Sequence, residues 1–330
     1  MPFWCSQSDK SIRVIPLNPR NPGSSLRIVF FGTPEFAAHI LRHLVANGEN
    51  IVSVVTTPDK PQGRGMHLKS SAVKDVAIER GIPVLTPLKH RDPDFLNALL
   101  ALRADVFVVV AYKILPMEVI SIPRRGAFNV HASLLPKYRG AAPINWAIIR
   151  GETETGVTTF LLDQHVDTGQ MLLTKRCPIG PDETAGELHN KLMILGAEAA
   201  LETIRGLAAG TLIPVPQPNS EATTAPKIFP KDCIIDFHRP AEEVHNFIRG
   251  LSPHPGAATT APGGVRLKII EGINHGVPPP GLEPGKFLVT MDRLFVGTTT
   301  RPIEILALQR EGKRALVVKE FLKGNKGLFT

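Results

Sequence analysis

The chain has 330 residues, of which 43% are hydrophobic and 21% charged, and its formal net charge at pH 7 is +8. This length predicts two domains, each able to bury its own core, and the charge permits a polyanionic partner without demonstrating one. The three cysteines are far apart and form no Cys/His cluster, which argues against disulfides and structural zinc and for a reducing compartment. No apolar run reaches the ~18 residues of a membrane span.

Residues 1–25 contain three basic residues, one acidic residue and four prolines, and they have no continuous apolar core. A secretory signal would need such a core, so the sequence predicts a disordered extension instead. A mitochondrial presequence is the alternative. We therefore expect a cytoplasmic protein, or a mitochondrial one if residues 1–25 are a transit peptide.

The first predicted strand is Leu26–Phe31, followed by GTPEF (Gly32–Phe36) and a helix that ends near Asn47. A first βα turn often binds a dinucleotide, but the GxGxxG pattern is absent here. Pro34 also removes a backbone N–H from the place where a pyrophosphate would bind. These features exclude a nicotinamide-dependent dehydrogenase.

A second strand is predicted over Ile51–Thr57, followed by an irregular polar loop over Pro58–Ser71. A long loop inside a compact domain is usually functional or mobile. Arg64 lies between two glycines, and Lys60 and Lys69 add positive charge. The loop therefore either reaches an anion or is simply a solvated basic surface.

Strands and helices continue to alternate up to the middle of the chain. Ile82–Leu85 is a short strand, Phe95–Leu102 a helix, and Val106–Ala111 an almost entirely apolar strand typical of the centre of a parallel sheet. This order predicts an α/β domain with a doubly wound, mostly parallel Rossmann-like sheet.

The stretch over Ala127–His131 predicts a strand whose Asn129 and His131 lie on one face, roughly 7 Å apart. Ligands bind at the carboxyl edge of such sheets. An amide that stabilises an oxyanion and an imidazole that moves protons would suit acyl transfer. The alternative is that both residues are merely polar groups at a strand end.

A turn-like hinge over Leu161–Leu172 joins two further strands and carries Asp163, His165 and Asp167. The carboxylate of Asp167 precedes a Thr-Gly turn and could lean into the same crevice as His131. Its alternative role is to close a hairpin through an Asx turn.

After a long amphipathic helix over Thr184–Leu207, the stretch Thr211–Pro226 is rich in Pro, Ser and Thr and is interpreted as a linker. Beyond it, short strands separated by Gly/Pro turns predict a small β-barrel. From residue 220 onward there are fifteen Lys/Arg and eleven Asp/Glu residues. Such a surface could bind phosphates, or it could be only a solvated basic tail.

Four motifs carry a resemblance to a known family: FFGTPEFA (Phe30–Ala37), TPDKPQGRG (Thr57–Gly65), FNVHASLLPKYRGAAPI (Phe128–Ile144) and DTGQML (Asp167–Leu172). In order and spacing the chain resembles the methionyl-tRNA formyltransferase branch of the formyltetrahydrofolate-dependent transferases, over about residues 26–325. NxHxSLLP with a downstream Asp-Thr-Gly is typical of all these transferases, and the other motifs are typical of the branch.

The resemblance implies that a formyl group moves from 10-formyltetrahydrofolate to the α-amine of initiator methionyl-tRNA. It implies that Asn129, His131 and Asp167 are catalytic. The loop Ser133, Leu134, Leu135 and Pro136 would bind the folate. No metal is expected, because formyl transfer does not require a Lewis acid.

The resemblance also implies an OB-like C-terminal barrel that binds tRNA. The expected tRNA contacts are basic residues, namely Arg64, Lys60, Lys69, Lys227, Lys231, Arg249, Lys268, Arg314 and Lys319. The expected division is an extension (1–25), a catalytic domain (26–210), a linker (211–226) and a C-terminal domain (227–330). We expect a monomer.

Other formyltetrahydrofolate enzymes could use the same three residues: a sugar-nucleotide formyltransferase, a glycinamide ribonucleotide formyltransferase or a formyltetrahydrofolate hydrolase. The basic C-terminal barrel and the Gly-Arg-Gly loop favour the tRNA branch, since a small acceptor would not need them. A non-enzymatic RNA-binding protein would tolerate loss of Asn129 or His131, and this chain has kept both.

Overall fold

The computed structural model describes residues 25–62, 67–275 and 281–329. Residues 1–24, most of the predicted N-terminal extension, lie outside the described residues, as does Arg64.

Nine strands belong to the N-terminal half of the described chain: β1 (Ile28–Gly32), β2 (Ile51–Val55), β3 (Lys60–Gln62), β4 (His67–Lys69), β5 (Val84–Leu85), β6 (Val106–Val110), β7 (Ala127–His131), β8 (Glu154–Leu161) and β9 (Met171–Pro178). Six helices accompany them: α1 (Glu35–Ala46), α2 (Ala72–Glu79), α3 (Pro93–Ala101), α4 (Met117–Ile120), α5 (Pro143–Ile149) and α6 (Ala185–Ala209).

Seven of these strands form one sheet in the order β5-β2-β1-β6-β7-β8-β9. Pairing is parallel from β5 to β7, and β8 and β9 are added antiparallel at one edge. The predicted α/β domain with a mostly parallel sheet is confirmed. Because β7 is the last parallel strand, its carboxyl end lies where the direction of the sheet changes.

The apolar strands alternate between two cores. Ile28 and Phe30 pack into the larger core with α1 and α6, whereas Val29 and Phe31 pack into the core that includes Phe95 of α3. Successive strand side chains point to opposite faces, so a continuous apolar strand is stable only when both faces are covered. This explains why the β1 and β6 sequences are almost entirely apolar.

The prediction of an irregular loop over Pro58–Ser71 is wrong in part, because the structure has a short hairpin there. Strands β3 and β4 pair antiparallel, with Lys60 directly opposite Lys69. Both lysines are exposed. Like charges in facing positions destabilise a hairpin. An anion bound between the two lysines would reduce their repulsion.

The C-terminal half contains α7 (Ala241–Leu251), β10 (Ala257–Thr260), β11 (Arg266–Ile273), β12 (Phe287–Thr290), β13 (Arg293–Val296), β14 (Ile303–Arg310), β15 (Ala315–Val317) and α8 (Val318–Asn325). The six strands pair antiparallel in the order β10-β11-β14-β13-β12, with β15 on β14. Helices α7 and α8 cover an apolar core that includes Ile248, Ile305 and Phe321. The predicted C-terminal β domain is confirmed.

Helix α7 fixes the C-terminal half against the first half. The amide of Asn145 in α5 donates to the Gly250 carbonyl at 2.7 Å. A Cβ atom on Gly250 would lie 2.6 Å from Cγ1 of Ile149, so the two helices approach too closely for any other residue there. The two halves are therefore in direct, tight contact.

The predicted linker is not a free tether. Val215 and Met171 exchange two backbone hydrogen bonds of 2.8 Å, and Ala225 donates to the Arg139 carbonyl at 2.7 Å. We call residues 215–225 the strap, since they lie along the loops that follow β7 and β8. The Pro-rich composition leaves only a short 3₁₀ turn there, Asn219–Glu221, but it does not prevent packing.

Among the described residues, no helix is long and apolar enough to cross a membrane.

Candidate active site

The site is built around the carboxyl end of β7. Asn129 and His131 project from the same side of this strand and line one cavity of about 600 Å³. Their neighbours in the strand, Phe128 and Val130, are buried in the larger core on the opposite face. The alternation of the strand thus separates two polar side chains from the apolar core and directs them into the cavity.

Asp167 lies on the loop between β8 and β9 and lines the same cavity. Its Oδ2 atom accepts a hydrogen bond of 2.8 Å from the backbone N–H of Gly140 and lies 3.9 Å from Nδ1 of His131. The turn hydrogen bonds are accepted by Asp163, from His165 N–H and the Thr168 hydroxyl. The hairpin turn is therefore closed by Asp163, and the carboxylate of Asp167 faces the loop after β7.

The tautomer of His131 follows from its hydrogen bond. Nε2 lies 2.9 Å from the Tyr138 carbonyl oxygen, which can only accept, so Nε2 carries a proton. In the neutral ring, Nδ1 is then the free base, and it faces Asp167 across 3.9 Å. That distance is too long for a direct hydrogen bond. A proton or an N–H group placed between Nδ1 of His131 and the Asp167 carboxylate would be attracted by both.

The Asn129 amide has no hydrogen-bond partner within the described part of the chain. It is half-buried, so an unpaired amide carries a desolvation cost that a bound ligand would relieve. The NH₂ group can donate to an oxygen that gains negative charge. Asn129, His131 and Asp167 are thus brought together as predicted, and the catalytic role of all three stays a prediction.

The cavity has an apolar wall with a few polar groups. Its lining includes Val109, Tyr112, Leu115 and Leu162. Burial raises the pKa of Tyr112 to about 12, so its hydroxyl is protonated at neutral pH.

The predicted folate-binding loop directly follows β7, and its role in binding folate stays a prediction. Ser133, Leu134, Leu135 and Pro136 are not among the residues that line the cavity. The Ser133 hydroxyl donates to the Lys137 carbonyl, and Leu135 N–H donates to the Thr158 hydroxyl. These polar groups of the segment are thus used to fold the loop that carries Tyr138 and Gly140.

Two further features were missed by sequence reasoning. His189 of α6 lines the cavity and packs edge-on against Phe36, with ring centroids 5.3 Å apart. Ile144, Asn145 and His189 also line a wider cleft of about 1180 Å³ between the two halves of the chain. The helical sequence around His189 gave no signal, because its position depends on how α6 packs on the sheet.

The basic residues predicted to bind tRNA fall into two groups. Several are exposed at the surface: Lys60, Lys69, Lys227, Lys231, Arg314 and Lys319. Arg249 and Lys268 are not free surface cations. Arg249 is 6% exposed and donates to the Gly180 and Glu183 carbonyls, and Lys268 is half-buried and donates to the Pro255 carbonyl.

The prediction for Arg249 therefore needs correction: its charge is used to hold α7 against the loop between β9 and α6. Lys268 stabilises the turn before β10 in the same way. Sequence counting could not separate these two from the exposed cations, because charge alone does not reveal burial. Arg64 lies outside the described residues.

Gly169 places the carboxylate loop against β8. A Cβ atom on this residue would lie 1.6 Å from the backbone carbonyl oxygen of Leu161, so the loop must shift to accept any side chain.

We expect Gly169→Ala to lower the melting temperature by several degrees and the catalytic rate by about 10²-fold, because it displaces Asp167. Scanning calorimetry checks the melting temperature, and an assay of the reaction expected from the sequence checks the rate. Gly324→Ala is the control, since no atom lies within 4 Å of its Cβ position. Wild-type values for Gly169→Ala would contradict this tight packing.

Two family models match the chain. The formyl transferase model covers residues 26–204, and the model of the formyl transferase C-terminal domain covers residues 227–326. The chain therefore belongs to the formyl transferase family, and the resemblance of its motifs to this family is confirmed.

Curated relatives resemble the chain over nearly its whole length. The methionyl-tRNA formyltransferase of Caldanaerobacter subterraneus subsp. tengcongensis is 47% identical over 91% of this chain and 97% of its own. The methionyl-tRNA formyltransferase of Geobacter sulfurreducens is 45% identical over 91% of this chain and 94% of its own. Both similarities span the two halves of the chain.

Solved structures share the fold at low identity. HypX from Aquifex aeolicus in complex with tetrahydrofolic acid aligns with a TM-score of 0.64 at 17% identity, over 92% of this chain and 48% of its own. An N-formyltransferase from Helicobacter canadensis, in complex with folinic acid and dTDP-3-aminofucose, aligns with a TM-score of 0.63 at 20% identity, over 86% of this chain and 99% of its own.

Proposed function

We propose that this chain transfers the formyl group of 10-formyltetrahydrofolate to the α-amine of initiator methionyl-tRNA, giving formylmethionyl-tRNA for translation initiation. One observation carries the proposal. The chain is 43–47% identical to proteins named methionyl-tRNA formyltransferase over 91% of its length, including the C-terminal half. Asn129, His131 and Asp167 lie on a single cavity in the half that would perform the chemistry.

The proposed reaction exchanges one C–N bond for another. The methionyl amine attacks the formyl carbon, and the carbonyl oxygen becomes a tetrahedral oxyanion. The Asn129 NH₂ group donates to this oxygen, an interaction typically worth about 3–4 kcal/mol in such sites. When the intermediate collapses, the bond from the formyl carbon to N10 breaks and tetrahydrofolate leaves.

His131 handles the amine proton in this scheme. Its Nε2–H is held by the Tyr138 carbonyl, so Nδ1 is the atom that accepts the proton from the attacking amine and returns it to N10. The Asp167 carboxylate, 3.9 Å away, stabilises the imidazolium that forms. No step requires a metal, and the described residues contain no cluster of metal-ligating side chains.

A tRNA acceptor suits the arrangement of the two halves. The wide cleft between them meets the cavity at Ile144, Asn145 and His189, so a long acceptor end can enter from the cleft while folate occupies the cavity.

We propose that residues 26–210 form the catalytic domain and residues 227–330 a tRNA-binding domain. We further propose that exposed lysines such as Lys60, Lys69 and Lys227 contact phosphates, and that the enzyme is a cytoplasmic monomer.

The choice of acceptor is tested by offering three amines with 10-formyltetrahydrofolate: methionyl-tRNA, a dTDP-amino sugar and glycinamide ribonucleotide. We expect the specificity constant for methionyl-tRNA to exceed that for either small acceptor by at least about 10³-fold, because only tRNA spans both halves. Comparable or better use of either small acceptor would assign the chain to that other branch.

A further inference from the structure

Gln217 is the buried polar residue of the strap that contacts the carboxylate loop. It is 8% exposed, whereas its neighbours in the Pro-rich segment are exposed. A buried amide must satisfy its donors and acceptor within the protein. The hydrogen-bond partners of the Gln217 amide therefore show which part of the fold the strap holds.

The donors of Gln217 reach the turn that contains Asp167. Nε2 donates to the Asp167 carbonyl at 3.0 Å and to the Gly169 carbonyl at 2.7 Å. The two ends of the Asp167–Gly169 turn are thus held by one NH₂ group that belongs to a distant part of the chain.

Arg139 fixes the orientation of this amide. Its Nε and Nη2 atoms donate to Oε1 of Gln217 at 3.0 and 2.7 Å, so the NH₂ group must face the turn. The next residue, Gly140, donates its N–H to the Asp167 carboxylate. The loop after β7 therefore holds the Asp167 side chain directly and the Asp167 backbone through Gln217.

Asp167 needs such support. Its φ angle is 56°, a left-handed conformation that residues other than glycine adopt at a cost in conformational energy. A backbone in this conformation persists only where surrounding contacts impose it. The Gln217 amide is one of those contacts, and it acts on the two carbonyls that define the turn.

We propose that Gln217 is a positioning residue for Asp167: it holds the strained turn so that the carboxylate stays at the correct distance from His131. The inference rests on the proposed function, because it assigns Gln217 to the same reaction. It also gives the strap a role in the active site beyond joining the two halves of the chain.

Gln217→Glu tests the proposal with little change of shape. The new carboxylate still accepts from Arg139, but its second oxygen faces two carbonyl oxygens with no proton to donate. The turn is then repelled instead of held. We expect kcat for methionyl-tRNA formylation to fall about 30-fold, with KM for both substrates within about threefold, since an ångström-scale misplacement costs rate more than binding.

A second variant and a control separate positioning from folding. Gln217→Met keeps the volume and removes every hydrogen bond, and we expect a similar loss of kcat. Asn219→Ala removes only an exposed contact of the strap to Arg139 and should leave kcat within about twofold. Melting temperatures of all three variants identify any that fail to fold.

A double-mutant cycle with Asp167→Asn provides the decisive readout. If Gln217 acts through the carboxylate, Gln217→Glu should cost no more than about threefold in the Asp167→Asn background. An equal loss in both backgrounds would show that Gln217 is merely structural, and an unchanged kcat in the single variants would also overturn the proposal. Failure of the proposed function is distinguishable, because the wild-type protein itself would then form no formylmethionyl-tRNA.

Discussion

Replacing His131 with alanine should lower kcat for formyl transfer by about 10³-fold or more. The structure assigns Nδ1 as the free base of the ring, because Nε2–H is bound to the Tyr138 carbonyl, and the ring is only 6% exposed. Removing it takes away the proposed acceptor of the amine proton, the imidazole Nδ1. General acid–base groups contribute about 10²–10⁴-fold, and this one would serve both the attacking amine and the leaving N10.

The measurement is single-turnover formylation of methionyl-tRNA, with folate affinity measured separately by titration. We expect the dissociation constant for the folate to change by less than about threefold, since the apolar wall is unchanged. His43→Ala on α1 is the matched control, because His43 is not among the residues that line the cavity. A kcat for His131→Ala within tenfold of the wild type would remove His131 from the mechanism.

Replacing Asn129 with alanine should lower kcat by about 10²–10³-fold. Its amide is unpaired within the described structure and lines the cavity beside His131. Loss of one donor to a developing oxyanion typically costs this much. The effect should appear in kcat and in kcat/KM alike, because the charge on the oxygen develops only in the transition state.

Asn129→Asp sharpens this test, because it keeps the shape, removes the NH₂ donor and adds a negative charge near the oxyanion. We expect Asn129→Asp to be at least as slow as Asn129→Ala. If either variant changed only KM for the folate, the amide would be a binding group and the oxyanion would need another donor.

Much of the fold could be predicted from the sequence, because it depends on local patterns. The predicted strand Ala127–His131 agrees residue for residue with β7, and the alternation along it explains why Asn129 and His131 share a face. The apolar run of β6 likewise predicted a central parallel strand. In each case the pattern along the chain determines which face is buried.

The parts that could not be predicted depend on contacts between distant segments. The role of Gln217 requires Arg139 and the Asp167 turn, 78 and about 50 residues away in the chain. The burial of Arg249 depends on how α7 docks on the first half, and the β3–β4 hairpin forms despite a proline in β3. The convergence of Asp167 with His131 was suggested by family resemblance, since spacing alone also fitted a hairpin turn.

Formyl transfer itself is tested most directly with 10-formyltetrahydrofolate labelled in the formyl group, mixed with the full-length chain in the presence and absence of methionyl-tRNA. We predict that label appears on the methionyl α-amine in the complete mixture, and that little formate is released without tRNA. Formate released equally in both mixtures would indicate a hydrolase. Unconsumed folate in both would contradict the assignment of an enzyme to this fold.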